Sequence, residues 1–258
     1  MERRAGSGEQ SHTLYGVHAV MEALEAGRPL MRVLVVHTHG QLEQLVRLAK
    51  ARRVPIHIEP KVMLDRLVQG ARHQGVVAMA AVRRYASVDA ILAVADKRQE
   101  PPFVIVLDGV QDPQNLGSVL RSAEAAGVHG VILPERRAVG LTGTVAKSSA
   151  GAVEHIAVAQ VVNVSQILKE LKERGLWVYG LAADATKCYS DVDYTGAVGL
   201  VVGGEGQGVR PAVLAACDEA VHIPMRGKVG SLNASVAASV ALFEVVRQRM
   251  RSRAYPAI

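Results

Sequence analysis

From residue 103 to residue 250 the chain repeats one pattern, a short unbroken apolar run followed by a longer stretch with apolar residues at helical spacing. Runs such as FVIVL (103–107) and VGLVV (198–202) are too apolar for a strand with one wet face. They read instead as strands buried on both faces, which is the environment of a parallel sheet covered by helices. The pattern predicts strands at 103–107, 131–133, 155–158, 177–181, 198–202 and 220–223. Helices are predicted at about 116–126, 142–149, 164–174, 211–217 and 234–250. An α/β domain with a mostly parallel sheet is the architecture that satisfies this alternation.

The first third of the chain reads as a smaller α/β unit. Val17, Val20, Met21 and Leu24 form a helical stripe within 14–26, which Gly27 ends. A strand at 33–36, a helix at 42–51, a strand at 56–58, a helix at 61–68 and a strand at 76–82 follow. Residues 85–102 carry several charges and the pair Pro101-Pro102, and read as a linker. The expected organisation is a disordered polar tip at 1–12, a small domain at 13–84, the linker, and the larger domain at 103–258.

At 258 residues and 49% hydrophobic content, a sizeable core is available. No apolar run reaches the ~18 residues that a membrane span needs. The first residues, MERRAGSG, lack a signal-peptide core, so a cytoplasmic protein is expected. Cys188 and Cys217 have no partners at metal-ligand spacing, and His37-x-His39 lacks a third ligand. Neither a structural metal nor a disulfide is expected. Residues 1–84 hold 13 Lys and Arg against 7 Asp and Glu, while the remainder holds 17 of each, so the whole excess of +6 lies in the first third. Such one-sidedness suits a polyanionic partner, although ordinary solvated surface can carry it too.

Three polar clusters sit where predicted strands end. The first is DGVQDPQNLG (108–117) followed by Arg121, with Asn115 at a position where a helix N-cap would stand. Leu116, Val119, Leu120 and Ala123 look buried on this helix, which suggests that Arg121 is a fixed guanidinium facing a cleft, or else a solvated one. The second is VGGEGQGVRP (202–211), where Glu205 is alone among glycines. That loop is either a backbone cradle for a ligand or a tight turn into the helix begun by Pro211. The third is IPMRGKVGSLN (223–233), leading into Ala234, Ala237, Ala238 and Ala241, a narrow helical face. A dinucleotide-binding oxidoreductase fits poorly, because the glycines are not at GxGxxG spacing and lie far from the first βα turn.

The blocks DPQNLGSVLRSAEAAG, LVVGGEGQGVRP and IPMRGKVGSLNASVA, in that order, resemble the three signature motifs of the SpoU family of RNA 2′-O-ribose methyltransferases in the SPOUT superfamily. The region beginning LYGVHAV resembles the small L30-like RNA-binding domain of members that modify guanosine in 23S ribosomal RNA. The resemblance implies a C-terminal α/β domain with a deep trefoil knot, a homodimer, and S-adenosylmethionine as the cofactor, held largely by main chain. By motif match, Gly203, Ile223 and Leu232 contact the cofactor, with Glu205, Gly206, Met225 and Asn233 lining the same loops. Asn115, Arg121, Glu205, Ser231 and Asn233 match the polar catalytic set. The sequence departs from many relatives at Gly230, before an intact Ser231-Leu232-Asn233.

The implied reaction is a displacement at a sulfonium methyl, which chiefly requires alignment and no metal. A guanidinium stays protonated in ordinary surroundings. Arg121 is therefore expected to bind the ribose or adjacent phosphate and stabilise developing charge on the ribose oxygen, with general-base action the less favoured alternative. The N-terminal region has few aromatic residues for base stacking, Tyr15 and Tyr85 alone, so Arg52, Arg53, Arg83 and Arg84 are the expected phosphate contacts. A catalytically silent RNA-binding protein and a transfer RNA methyltransferase are the alternatives to an enzyme acting on 23S ribosomal RNA.

Overall fold

A computed structural model describes residues 11–252. The expected disordered tip therefore falls mostly outside the described residues, and its last two positions open a strand. The chain divides into two compact units, one running to Arg84 and also taking Leu141–Glu154, the other holding Tyr85–Gly140 and the residues from His155 on.

The first unit begins with β1 (Ser11–Tyr15), α1 (Val17–Glu25), β2 (Leu30–Val35), α2 (Glu43–Ala51), β3 (Ile56–Ile58), α3 (Lys61–Leu67) and β4 (Val76–Ala81). Its sheet has the order β1-β4-β2-β3. The strand β1 replaces the start of the expected helix at 14–26. Leu14 and Tyr15 pair with Ala78 and Val77 and are buried there, and Gly16, at φ 93, turns the chain before the helix can start. The helical stripe was read correctly from Val17 onward; the two apolar residues before the glycine belong to the sheet.

The second unit opens with α4 (Val88–Arg98), β5 (Phe103–Asp108), α5 (Pro113–Ala125) and β6 (Gly130–Pro134). The chain then contributes α6 (Gly143–Ser148) to the first unit. It continues with β7 (Ala157–Val161), α7 (Val164–Glu173), β8 (Trp177–Leu181), β9 (Lys187–Cys188), β10 (Val198–Gly203), α8 (Pro211–Leu214), β11 (Glu219–His222) and α9 (Ala234–Arg251). The sheet order is β7-β6-β5-β10-β8-β11-β9, and every pairing in it is parallel. All residues of β5, β6 and β10 are buried, as unbroken apolar runs require. Because the strands share one direction, the loops after β5, β6, β10 and β11 leave the same edge of the sheet.

Residues 85–102, read from sequence as a linker, contain α4. Ser87 caps it by accepting from the Ala90 N–H at 3.1 Å, and Ile91, Leu92 and Ala95 bury its inner face. Its outer face carries Asp89, Asp96, Lys97 and Arg98, and those charges mask a stripe only three residues long. The two-residue edge strand β9 was also not predicted, being too short to show an alternating pattern.

The segment Leu141–Glu154, expected to lie in the larger domain, is bound tightly within the first unit. A side chain at Gly143 would stand 1.9 Å from the Thr13 carbonyl oxygen. Glu154, 2% exposed, accepts from Arg28 at 2.6 Å and Arg83 at 2.7 Å. Among the described residues, no helix is long and apolar enough to cross a membrane.

Candidate active site

Asp108 ends β5 fully buried, and its carboxylate takes the Arg210 main-chain N–H at 2.9 Å, Nε at 2.8 Å and Nη2 at 2.6 Å. Its carbonyl takes the Gly204 N–H at 2.9 Å. One acidic residue thus clamps both ends of the glycine-rich loop, and the carboxylate in turn holds the Arg210 guanidinium more firmly protonated. Sequence reading passed over this pair; an aspartate closing an otherwise apolar run was the available signal.

Inside the loop, a Cβ on Gly203 would meet the Gly208 carbonyl carbon at 1.9 Å, and one on Gly204 would meet the Gly109 oxygen at 2.1 Å. Those glycines are dictated by backbone crowding within the site, whatever ligand it holds. Glu205 and Gly206 are exposed at the tip.

Asn115 does not cap α5. Asp112 does, accepting from the Gln114 N–H at 2.9 Å, while Pro113 occupies the first helical turn. Asn115 is thereby left on the buried side, 8% exposed, with its amide free for tertiary contact. Its Nδ2 donates to Glu205 Oε1, and its Oδ1 accepts from Asn233 Nδ2 at 3.0 Å. Asn233 caps α9, its Oδ1 accepting from the Ser235 N–H at 2.9 Å and the Ser235 hydroxyl at 2.7 Å. The helix end fixes which way the Asn233 amide faces, and this sets the direction of the whole chain of donors toward the carboxylate. Three residues, one from each polar cluster, are joined.

Other predicted site residues stand apart from this network. Arg121 is exposed, and no described residue hydrogen-bonds or ion-pairs with it, so the expectation of a guanidinium fixed by packing is not met. Ser231 is exposed in the loop before α9, and Ile223 is half-buried after β11. Met225 and Leu232 are 38% and 36% exposed, two apolar side chains presented to solvent in the segment between β11 and α9. In the second unit a cleft of about 320 Å³, lined in part by Glu205, lies between the ends of β5, β6 and β10 and is not lined by Asn115, Asn233, Ile223, Met225 or Leu232. Among the described residues, no group of three or more His, Cys, Asp or Glu could hold a metal ion.

The expected phosphate-binding residues of the first unit behave differently from one another. Arg53 and Arg84 are exposed, while Arg52 donates to the Glu25 carbonyl at 3.0 Å. Arg83 is committed to Glu154, so its reading as a phosphate contact is replaced by a structural role. Tyr15 is not a stacking platform either, being buried with Lys147 Nζ 5.1 Å above its ring and its hydroxyl bonded to Thr144 at 2.9 Å. A second cleft, of about 270 Å³, gathers His18, Arg72, Gln74 and Lys147 in this unit. Burial and the Arg72 charge lower the Lys147 ammonium below its ordinary pKa.

Residues 102–243 match the model of the SpoU rRNA Methylase family, and residues 13–86 match that of the RNA 2′-O ribose methyltransferase substrate-binding domain. A Bacillus subtilis protein whose name places it in the TrmH family of tRNA/rRNA methyltransferases is 44% identical over 243 residues, covering 93% of this chain and 97% of its own. The crystal structure of the SpoU methyltransferase AviRb from Streptomyces viridochromogenes, in complex with AdoMet, is similar with a TM-score of 0.80 and 26% identity, covering 93% of this chain and 91% of that one. A crystal structure of an RNA 2′-O ribose methyltransferase is similar with a TM-score of 0.76 and 27% identity, covering 96% and 93%.

Proposed function

The chain belongs to the SpoU rRNA methylase family, and from that premise we propose that it methylates the ribose 2′-hydroxyl of a guanosine in 23S ribosomal RNA. As a member of that family it is an RNA methyltransferase using S-adenosylmethionine. The observation that carries the reading is the hydrogen-bonded set Glu205, Asn115 and Asn233, which unites the three polar clusters at one sheet edge.

The cofactor, when bound, supplies an electrophilic methyl group. Gly203, Gly206, Ile223, Met225 and Leu232 hold it through main chain and apolar contact. Glu205 and the two asparagines orient the polar groups beside it, while Ser231 adds a hydroxyl. Arg121, exposed and without an intramolecular partner among the described residues, is available to meet the RNA and stabilise charge on the attacking oxygen. Preorganisation of this kind acts chiefly by alignment.

A homodimer accompanies this reading. Val236, Phe243 and Met250 recur every seven residues on α9 and are 47%, 48% and 60% exposed, one apolar stripe that a second copy would cover. The net positive charge of the first third, with Arg53 and Arg84 exposed in it, supports RNA as the partner of that unit.

The deciding experiment supplies the purified protein with S-adenosylmethionine labelled in the methyl group and transcripts of 23S ribosomal RNA and transfer RNA. Label at a ribose 2′-oxygen of a 23S guanosine is expected. Label confined to transfer RNA overturns the substrate, and no transfer to any RNA, with RNA still bound, favours a silent binding protein.

A further inference from the structure

Apart from Glu205, no residue lining the cleft between the ends of β5, β6 and β10 has a part in the cofactor reading. Six polar side chains matter there: Asp108, Gln111, Arg136, Arg137, Glu205 and Arg210. The acids are already committed. Asp108 is saturated by Arg210, and Glu205 Oε1 accepts from Asn115. Arg210 is correspondingly neutralised.

Arg136 and Arg137 are different. Both are exposed in the loop after β6, and neither pairs with any described residue; the lining holds three guanidiniums against two carboxylates, a net charge of +1. Arg137 moreover adopts φ 61, a left-handed conformation that costs a residue with a Cβ and that glycine would adopt freely. The turn places successive arginines on one cleft instead of letting them alternate. Strained backbone that presents paired charges to a concave surface is more often retained for binding than for folding.

We propose that Arg136 and Arg137 clamp a backbone phosphate of the RNA strand in this cleft, which Glu205 also lines and Asn115 does not. The proposal rests on the RNA methyltransferase reading above and adds to it the place where the strand is held. Guanidinium forks match phosphate oxygens in charge and geometry, and Gln111 adds an amide donor. A phosphodiester lies next to every ribose, so a phosphate held beside Glu205 brings a neighbouring sugar to the rim of the Asn115 network.

The test compares the unaltered protein with R136Q/R137Q and R136K/R137K, using a 23S ribosomal RNA transcript across a range of salt and, separately, calorimetry with S-adenosylmethionine. Both arginines are exposed, so melting temperature is expected to hold. R136Q/R137Q is expected to weaken RNA binding about tenfold near 0.1 M salt and to flatten the salt slope by about 0.7 for each phosphate that is no longer neutralised. R136K/R137K is expected to restore most of the slope, and cofactor affinity to stay constant in both. Unchanged RNA affinity and slope in R136Q/R137Q overturns the phosphate clamp while leaving methyl transfer intact. Loss of S-adenosylmethionine binding also overturns it, assigning the cleft to the cofactor. Absence of methyl transfer by the unaltered protein is a separate result that overturns the function, and RNA affinity still decides the cleft.

Discussion

Asn233 donates its side-chain amide to Asn115 at 3.0 Å across 118 positions of sequence, and that bond ties the N-terminus of α9 to the first turn of α5. Because Asn233 Oδ1 is occupied by the helix end, its amide can act only as a donor toward Asn115. Asn115 in turn can only donate to Glu205. The carboxylate is held by a directional relay that starts at a helix cap.

Asn115→Asp removes the donor toward Glu205 and puts a second carboxylate beside it. Loss of a hydrogen bond to a charged group costs about 1.5 to 3 kcal/mol of stability, so the melting temperature is expected to fall by several degrees, and kcat/KM for methyl transfer is expected to fall with it because Glu205 is no longer oriented. Asn233→Ala should lower activity similarly and in addition destabilise the fold by about 1 kcal/mol, because the α9 cap goes with it. Parallel methyl-transfer kinetics and thermal melts check both, and kcat/KM unchanged in either variant at a temperature where it is folded would contradict the relay.

Much of this site was legible because its three clusters lie where apolar runs stop, and the parallel sheet guarantees that such loops share an edge. What could not be read was direction. Asn115 was placed correctly on the chain, but only the structure shows that Asp112 takes the cap and turns Asn115 inward. Arg83 carries no sequence mark of its partner, since Glu154 stands 71 residues away in a segment that local pattern assigns elsewhere. The helix α4 was hidden for a simpler reason: its buried face is Ile91, Leu92 and Ala95, too short a stripe to outweigh its charges.

Glu154→Ala leaves two guanidiniums facing a site from which water is nearly excluded. Breaking a buried ion pair by removing one partner costs about 3 to 5 kcal/mol. Discounted for the partial exposure of Arg28 and Arg83, at 10% and 21%, about 2 to 3 kcal/mol is expected. Denaturant unfolding should show the loss. Glu154→Gln, which keeps one acceptor, should show less.

His129 makes stability depend on pH. Its Nδ1 accepts the Phe103 N–H at 2.9 Å, so the ring's proton sits on Nε2, 3.0 Å from Glu100. Burial outweighs Glu100 and holds the imidazole below its ordinary pKa of 6.5. The unfolded chain therefore takes up the proton first as pH falls. This contribution to stability is complete above about pH 6.5 and is lost as pH drops toward the lower folded-state pKa. The urea midpoint of the unaltered protein should fall more between pH 7 and pH 5 than that of His129→Gln, and identical pH profiles would refute the assignment.

Arg249 is the largest fully buried side chain among the described residues, and it is packed against backbone. Its guanidinium donates to the carbonyls of Tyr194 at 3.2 Å, Pro101 at 3.0 Å, Pro102 at 3.1 Å and Gly196 at 2.7 Å, and lies 5.0 Å from the centre of the Phe103 ring. These bonds fasten the last turn of α9 to the entry of β5 and the approach to β10, the two central strands whose far ends carry Asp108 and Gly203. Arg249→Met keeps the hydrophobic stem but leaves four carbonyls without this donor, each worth about 1 kcal/mol. A loss of about 3 to 4 kcal/mol is expected, which for a protein of this size lowers the melting temperature by roughly 10 °C. Because the clasp is remote from the Asn115 relay, kcat at a temperature where the variant is folded should match the unaltered enzyme. A melting temperature within 2 °C of the parent's, a margin set by roughly 1 kcal/mol, would show that the carbonyls find other donors and that α9 is held by its apolar face alone.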